Sequence, residues 1–308
     1  MTFTPWHIWA AFLLDLIVGD PHRVPQPILI IEKSARSLER FFREKRLDLF
    51  GERVTGALFS FCIVFITFQV SSGFVLLGGR LHSKIQLALL LYLAYTTLMT
   101  RSLGDTAYGV YNCLLRNDLP AAQITLSSII SSDTTLLSEE GVILSTVYTV
   151  ARKSAQGIVA PLLYLSLGGV PVAMAYQAIV TLHAISVREG SDASEWNWVL
   201  RRLSLFANFI PDCITGFLMA FSAAFLFGRG KETLMMFLGR GRKWEDPVAS
   251  IPEAAAAGAI GTPLALSGRI ENEIRNAQSH HIQDVIKLMG VTACLMLVVC
   301  MMIQWRNI

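Results

Sequence analysis

The sequence predicts an all-α polytopic membrane protein, a bundle of apolar helices joined in part by connections that are themselves helical. Three observations predict it. Hydrophobic residues make up 53% of the 308-residue chain and charged residues only 16%, against roughly 25% charged in soluble domains. The positive mean hydropathy of +0.50 is gathered into blocks near residues 5–18, 54–78, 85–100, 158–187, 206–228 and 285–304. Between the blocks the polar stretches keep helical periodicity, so the whole of 1–308 reads as a single integral membrane domain. The net charge of +3 with no long basic run excludes a nucleic-acid partner. Five cysteines without a C-x-x-C pair point to neither a disulfide framework nor a zinc site.

Residues 1–18 are apolar, with no basic leader and no small-residue cleavage site. With the turn at Gly19-Asp20-Pro21 they read as a first membrane segment, not a removable signal. Next, Ile28, Ile31, Ala35, Leu38 and Phe42 recur at three- and four-residue steps, with Lys33, Arg36, Arg40 and Arg43 on other faces. That is the apolar stripe of a helix lying on the membrane surface or packed on the bundle. Residues 118–131 read as a helix capped by Asp118, with Pro120 in its first turn, and Ser138 with Glu139 and Glu140 opens another. Residues 158–187 form an apolar span broken by Gly168, Gly169 and Pro171, either one broken crossing or a hairpin. Ile251-Pro252-Glu253-Ala254-Ala255 opens a small-residue helix with a carboxylate in its first turn.

Loop charges give a topology. Residues 19–53 hold eight Lys or Arg, 101–157 four and 229–284 seven; the alternate connections 79–84, 188–205 and the segment after 304 hold two, three and one. If each block crosses once, the positive-inside rule puts the three long loops in the cytoplasm and both termini outside the cell (inner) membrane. This pattern favours one broken crossing at 158–187.

Several polar groups are candidates for chemistry. Asp15 sits inside an apolar run, and Asp20 and His22 follow at its end. This corner would hold a metal or a basic partner, or it is a helix stop. Arg101 and Asp105 stand one helical turn apart, the spacing of an ordinary ion pair. Asp133 and Thr134 lie in a polar turn where Asp133 would cap the next helix. Arg152 and Lys153, before Gly157, would cradle phosphate or flank the membrane. Thr181 and His183 are polar groups near the end of the broken span, and Asn208 and Asp212 bracket Pro211 in a polar notch.

Taken in order, these residues resemble a known family. The series runs through Leu14-Asp15, Gly19-Asp20-Pro21, Arg101-Ser102-Leu103 with Asp105, Asp133-Thr134 and Gly157-Ile158-Val159-Ala160-Pro161-Leu162. It continues through Gly168-Gly169-x-Pro171, Ala175-Tyr176, Thr181-Leu182, Asn208 with Pro211, and Pro252-Glu253-Ala254 with Ala257-Gly258-Ala259. In that series the chain resembles the adenosylcobinamide-phosphate synthase family of cobalamin biosynthesis, integral membrane proteins of about this length. The sequence also departs from the family pattern. A usual Glu-Asn-Thr-x-Asp-Gly is Arg152-Lys153-Ser154-Ala155-Gln156-Gly157 here, and Asn-Thr-Leu-Asp is Val180-Thr181-Leu182-His183. An Asp-Asp pair is replaced by Ser204-Leu205, Ala-Arg by Asp212-Cys213, and Ser-Pro-Asn by Asp246-Pro247-Val248.

The resemblance implies an amide-forming ligase that attaches an aminopropanol phosphate arm to adenosylcobyric acid, with ATP and Mg2+ as cofactors and a corrinoid as substrate. Its partners would be the corrinoid and the aminopropanol phosphate, membrane lipid and other cobalamin-pathway proteins. The site residues it implies are Asp20, His22, Asp105, Asp133, Thr134, Thr181, Asn208 and Glu253. Asp20, Asp133 and Glu253 are the candidate metal or amine ligands. Arg101, Arg152 and Lys153 are candidate phosphate contacts, the last two by position in their loop. Two further readings stand beside this one: a non-catalytic paralogue that binds a corrinoid or stabilises a partner, and a small transporter. No duplicated half, often seen in transporters, is visible in the sequence.

Overall fold

A computed structural model describes residues 5–19, 27–44, 51–130, 133–191, 194–240, 250–262 and 277–305. Among them every regular element is a helix. The order is α1 (Pro5–Val18), α2 (Pro27–Glu44), α3 (Glu52–Leu81), α4 (Ser83–Tyr95), α5 (Thr100–Leu115), α6 (Leu119–Ser127) and α7 (Glu139–Ser154). After a π-helical turn at Ala155–Val159 come α8 (Ala160–Arg188), α9 (Trp198–Phe227), α10 (Gly230–Arg240), α11 (Ser250–Ile260) and α12 (His280–Trp305). Five helical runs are long and apolar enough to cross a membrane: Glu52–Arg80, Ser83–Leu115, Glu139–Arg188, Trp198–Phe227 and His280–Trp305. The protein is thus an all-α polytopic membrane protein with helical connections.

The local signals explain the helix starts. Asp118 caps α6 by accepting the Ala121 N–H at 3.1 Å, and Ser138 caps α7 by accepting that of Gly141 at 3.2 Å. Glu139 and Glu140 in the first turn of α7 and Arg152 and Lys153 in its last complement the helix dipole. On α3, Phe61, Phe65 and Phe74 are exposed. In water such a face would be costly; lipid solvates it.

The chain forms two compact units, each drawn from separate segments. The first comprises residues 1–99, 161–207 and 299–308, the second residues 100–160 and 208–298. In the first unit α2 packs on the bundle with the stripe read from the sequence: Ile31 and Ala35 are buried, and Leu38 and Phe42 pack against the same core. Phe59 lies between Phe42 and Trp196, with ring centroids 6.1 and 5.8 Å away. Gly56 is required beside them, because a Cβ there would come within 1.9 Å of the Trp196 carbonyl oxygen.

Residues 158–187 depart from the single crossing that the loop charges favoured. Gly169 adopts φ 68° and ψ −164°, a conformation open essentially to glycine, and Pro171 follows. Tyr164 and Tyr176 stack across this break with centroids 4.8 Å apart, whereas a straight helix would separate them by about 18 Å along its axis. The chain folds back. The returning limb ends beside the early part of the chain: Arg36 pairs with Glu189 at 3.2 Å, Arg188 with Glu32 at 3.9 Å, and Arg53 with Glu195. Residues 188–205 therefore lie on the same side as α2 and the start of α3, not opposite them. Counting charges treated the apolar block as one crossing; the glycine torsion makes it a hairpin.

In the second unit α11 is buried from Ile251 to Ile260 and packs on α7 and α10. Gly258 lets α10 approach, since a Cβ would lie 2.7 Å from the Thr233 Cα. Arg229 donates to the Ile260 carbonyl at 2.8 Å and closes the end of α11. Ser222 on α9 and Thr292 on α12 share a buried hydrogen bond of 3.2 Å.

Candidate functional site

The second unit holds most of the predicted polar residues that are described. Its central feature joins the end of α7 to the start of α11. The Arg152 guanidinium donates from Nε and Nη2 to one oxygen of Glu253, Oε1, at 2.7 and 2.5 Å. Glu253 is buried, with 6% of its side chain exposed, while 39% of the Arg152 side chain reaches the surface. The first turn of α11 favours a carboxylate at Glu253, and burial makes a counter-charge necessary. Lys153 is the next residue, and the π-helical turn follows at once. Such turns inside helices frequently mark functional sites. The two residues lie 101 positions apart, and helix packing alone brings them together.

A second polar cluster precedes α7. Asp133 is exposed, and its Oδ1 accepts the Thr135 N–H at 2.9 Å and the Thr135 hydroxyl at 2.7 Å. These bonds hold its carboxyl below the usual carboxylate range. Asp133 thus organises its own turn, and the helix cap predicted for it is supplied by Ser138. The buried Thr134 hydroxyl donates to the Gln123 carbonyl at 2.9 Å. The Gln123 amide in turn donates to the carbonyls of Leu137 and Thr135 at 2.8 and 3.3 Å. Gln123 was not among the predicted residues; within a helical stretch nothing in the sequence singles it out.

The other predicted residues are more scattered. Arg101 and Asp105 form an exposed pair of 3.3 Å one turn apart on α5. Asn208 is buried in the part of α9 that belongs to the second unit, as is Asp212 one turn later. Asp212 was read as part of a polar notch but not as a site residue; at 2% exposure it joins the candidates. Thr181 is buried in the first unit, on the returning limb of α8. Asp20 and His22 lie outside the described residues.

Of the three candidate magnesium ligands, Asp20 lies outside the described residues, and Glu253 and Asp133 are engaged by other partners. Among the described residues no three His, Cys, Asp or Glu side chains converge. Oε1 of Glu253 carries both Arg152 contacts, and Asp133 is engaged by its own turn. The donor set here suits an anion better than a cation.

Comparison with known proteins places the chain. A family model described as CobD/Cbib protein matches residues 8–297. The chain belongs to the CobD/CbiB family. It is 39% identical over 259 residues to a "Cobalamin biosynthesis protein CobD" of Geobacter metallireducens, covering 83% of this chain and 80% of that one. It is 33% identical over 260 residues to a protein of the same description from Leptospira interrogans, covering 84% and 82%. It is 31% identical over 264 residues to "Cobalamin biosynthesis protein CbiB" of Salmonella typhi, covering 86% and 82%. No solved structure matches. The resemblance read from the ordered residue series is therefore borne out. In this CobD/CbiB chain the segment from Arg152 to Gly157 falls at the turn from α7 into the π helix, beside Glu253.

Proposed function

We propose that this chain acts in cobalamin biosynthesis by attaching an aminopropanol phosphate arm to adenosylcobyric acid, giving adenosylcobinamide phosphate. The observation that carries the reading is the family match over residues 8–297, together with relatives whose names state cobalamin biosynthesis. In the reaction the amine nitrogen of the arm attacks an activated corrinoid carboxyl carbon. A C–N bond forms, the activating group leaves, and the amine gives up a proton. ATP is the activating agent that the family resemblance implies, and it supplies a phosphoryl leaving group when bound. The chain's own part is to bind and orient. Arg152 and Lys153 fit the phosphate of the arm, and the buried Asn208 and Asp212 offer polar groups within the membrane segment. The apolar helices support a membrane location. The eight Lys or Arg of residues 19–53, against two in residues 79–84 beyond the α3 span, favour the cytoplasmic side for residues 19–53, where the corrinoid and a nucleotide are available.

A second reading, a family member that binds a corrinoid without turning it over, is favoured by one observation. The Glu253 carboxylate, a candidate metal or amine ligand, is engaged by Arg152.

A product assay on detergent-purified protein tests both. Adenosylcobyric acid, aminopropanol phosphate, ATP and magnesium are supplied, an intact family enzyme runs as control, and mass spectrometry scores the amide. Product that disappears with Asp20→Ala or Asp133→Ala supports the synthase. Folded protein without product, beside an active control, overturns it and leaves the binding role.

A further inference from the structure

We infer that Glu253 is a positioning residue and not a metal ligand: it anchors Arg152 so that the outer edge of the guanidinium receives a phosphate monoester without a protein-held cation. The inference deepens the reading above and rests on it for the identity of the phosphate, the aminopropanol arm.

The geometry carries the argument. Both contacts from Arg152 go to the same oxygen of Glu253, through Nε and Nη2. Those two atoms form one edge of the planar guanidinium, so the opposite edge, with Nη1, points away from the carboxylate. A guanidinium has five N–H donors in a fixed fork, and a planar fork matches two phosphate oxygens at once. The exposure is divided in the way an anchored recognition group requires, with 6% for Glu253 and 39% for Arg152. The anchor is also rigid, because Glu253 sits in a helix buried from Ile251 to Ile260. The π-helical turn at Ala155–Val159 begins three residues after Arg152. A cation on Glu253 would face this guanidinium as a like charge.

Calorimetric titration of the detergent-purified full chain with aminopropanol phosphate, with magnesium and then with EDTA, tests the assignment. The expected result is equal affinity in both buffers. Arg152→Lys retains the positive charge and a contact to Glu253 but loses the fork, and weakens binding by about tenfold. Glu253→Gln weakens binding similarly without creating a magnesium requirement. The double variant Arg152→Glu with Glu253→Arg restores the pair and the melting temperature while leaving binding lost, an outcome that a purely structural pair does not give.

Loss of wild-type binding in EDTA, or a fall in magnesium affinity with Glu253→Gln, overturns the inference. So does unchanged binding in folded Arg152→Lys. Repeating the titration in phosphatidylglycerol nanodiscs separates the sources of phosphate: competition there shows that a lipid headgroup occupies the same edge and overturns the arm as its ligand. Product formation is measured on the same preparations. A wild type that makes product while Arg152 variants bind normally sinks the inference alone; a wild type that binds through Arg152 but makes no product sinks the synthase reading alone.

Discussion

At the scale of single residues, charge and burial decide which of the predicted positions bear on function. Glu253 is buried and ionically paired, whereas Arg101 and Asp105 make an exposed pair whose worth is a few tenths of a kcal/mol. Removing Arg152 takes the guanidinium counter-charge from a buried carboxylate. Arg152→Ala is therefore expected to lower stability by about 1–3 kcal/mol, read as a fall in melting temperature in detergent, while Arg101→Ala changes it little. Asp133 gives a pH prediction whose sign follows from its hydrogen bonds. Its folded-state pKa lies below the ordinary value of 3.8, so its contribution is present above that value and is lost as pH falls through the depressed one. The Thr135 amide proton shift should hold steady at neutral pH and titrate only in that acidic range, and Asp133→Asn should remove the transition.

At the scale of elements, periodicity made most helices legible, and backbone torsion made one of them turn. The stripe of α2, the caps of α6 and α7, and the small-residue α11 all follow signals a few residues long. Gly169 is different. The sequence shows a break at Gly168-Gly169-x-Pro171, yet a break is compatible with a kink or a hairpin, and only the stacking of Tyr164 on Tyr176 distinguishes them. A Gly169→Ala variant forces a side chain into a conformation essentially reserved for glycine and should cost about 1–3 kcal/mol. A lower melting temperature tests this, and an unchanged one would show that the limbs can meet by another turn. Gly258→Leu makes a parallel case between α10 and α11, since the space a side chain needs is taken by the backbone at Thr233; proteolysis of this variant in membranes should become faster.

At the scale of the molecule, the hairpin in α8 changes the side assigned to residues 188–205. The ion pairs Arg36–Glu189 and Arg53–Glu195 set that connection beside α2. In a variant freed of its five native cysteines, Ser34→Cys and Arg202→Cys should react with a membrane-impermeant maleimide from the same side, and Ser83→Cys from the other. Labelling of Arg202→Cys with Ser83→Cys would restore the single crossing.

The sequence by itself determined the membrane class, the positions of the apolar blocks, the helical connections and the family, because hydropathy and caps act over one or a few turns and motif order survives without a fold. Only the tertiary structure decided that residues 158–187 fold back and that Arg152 meets Glu253 across 101 positions. It also decided that Gln123, and not a sequence neighbour, fastens the Thr134 turn. Such contacts depend on how helices pack and on a backbone torsion at one glycine. Neither leaves a periodic trace in the chain, and loop charges, summed along it, counted crossings that the torsion at Gly169 had already doubled back.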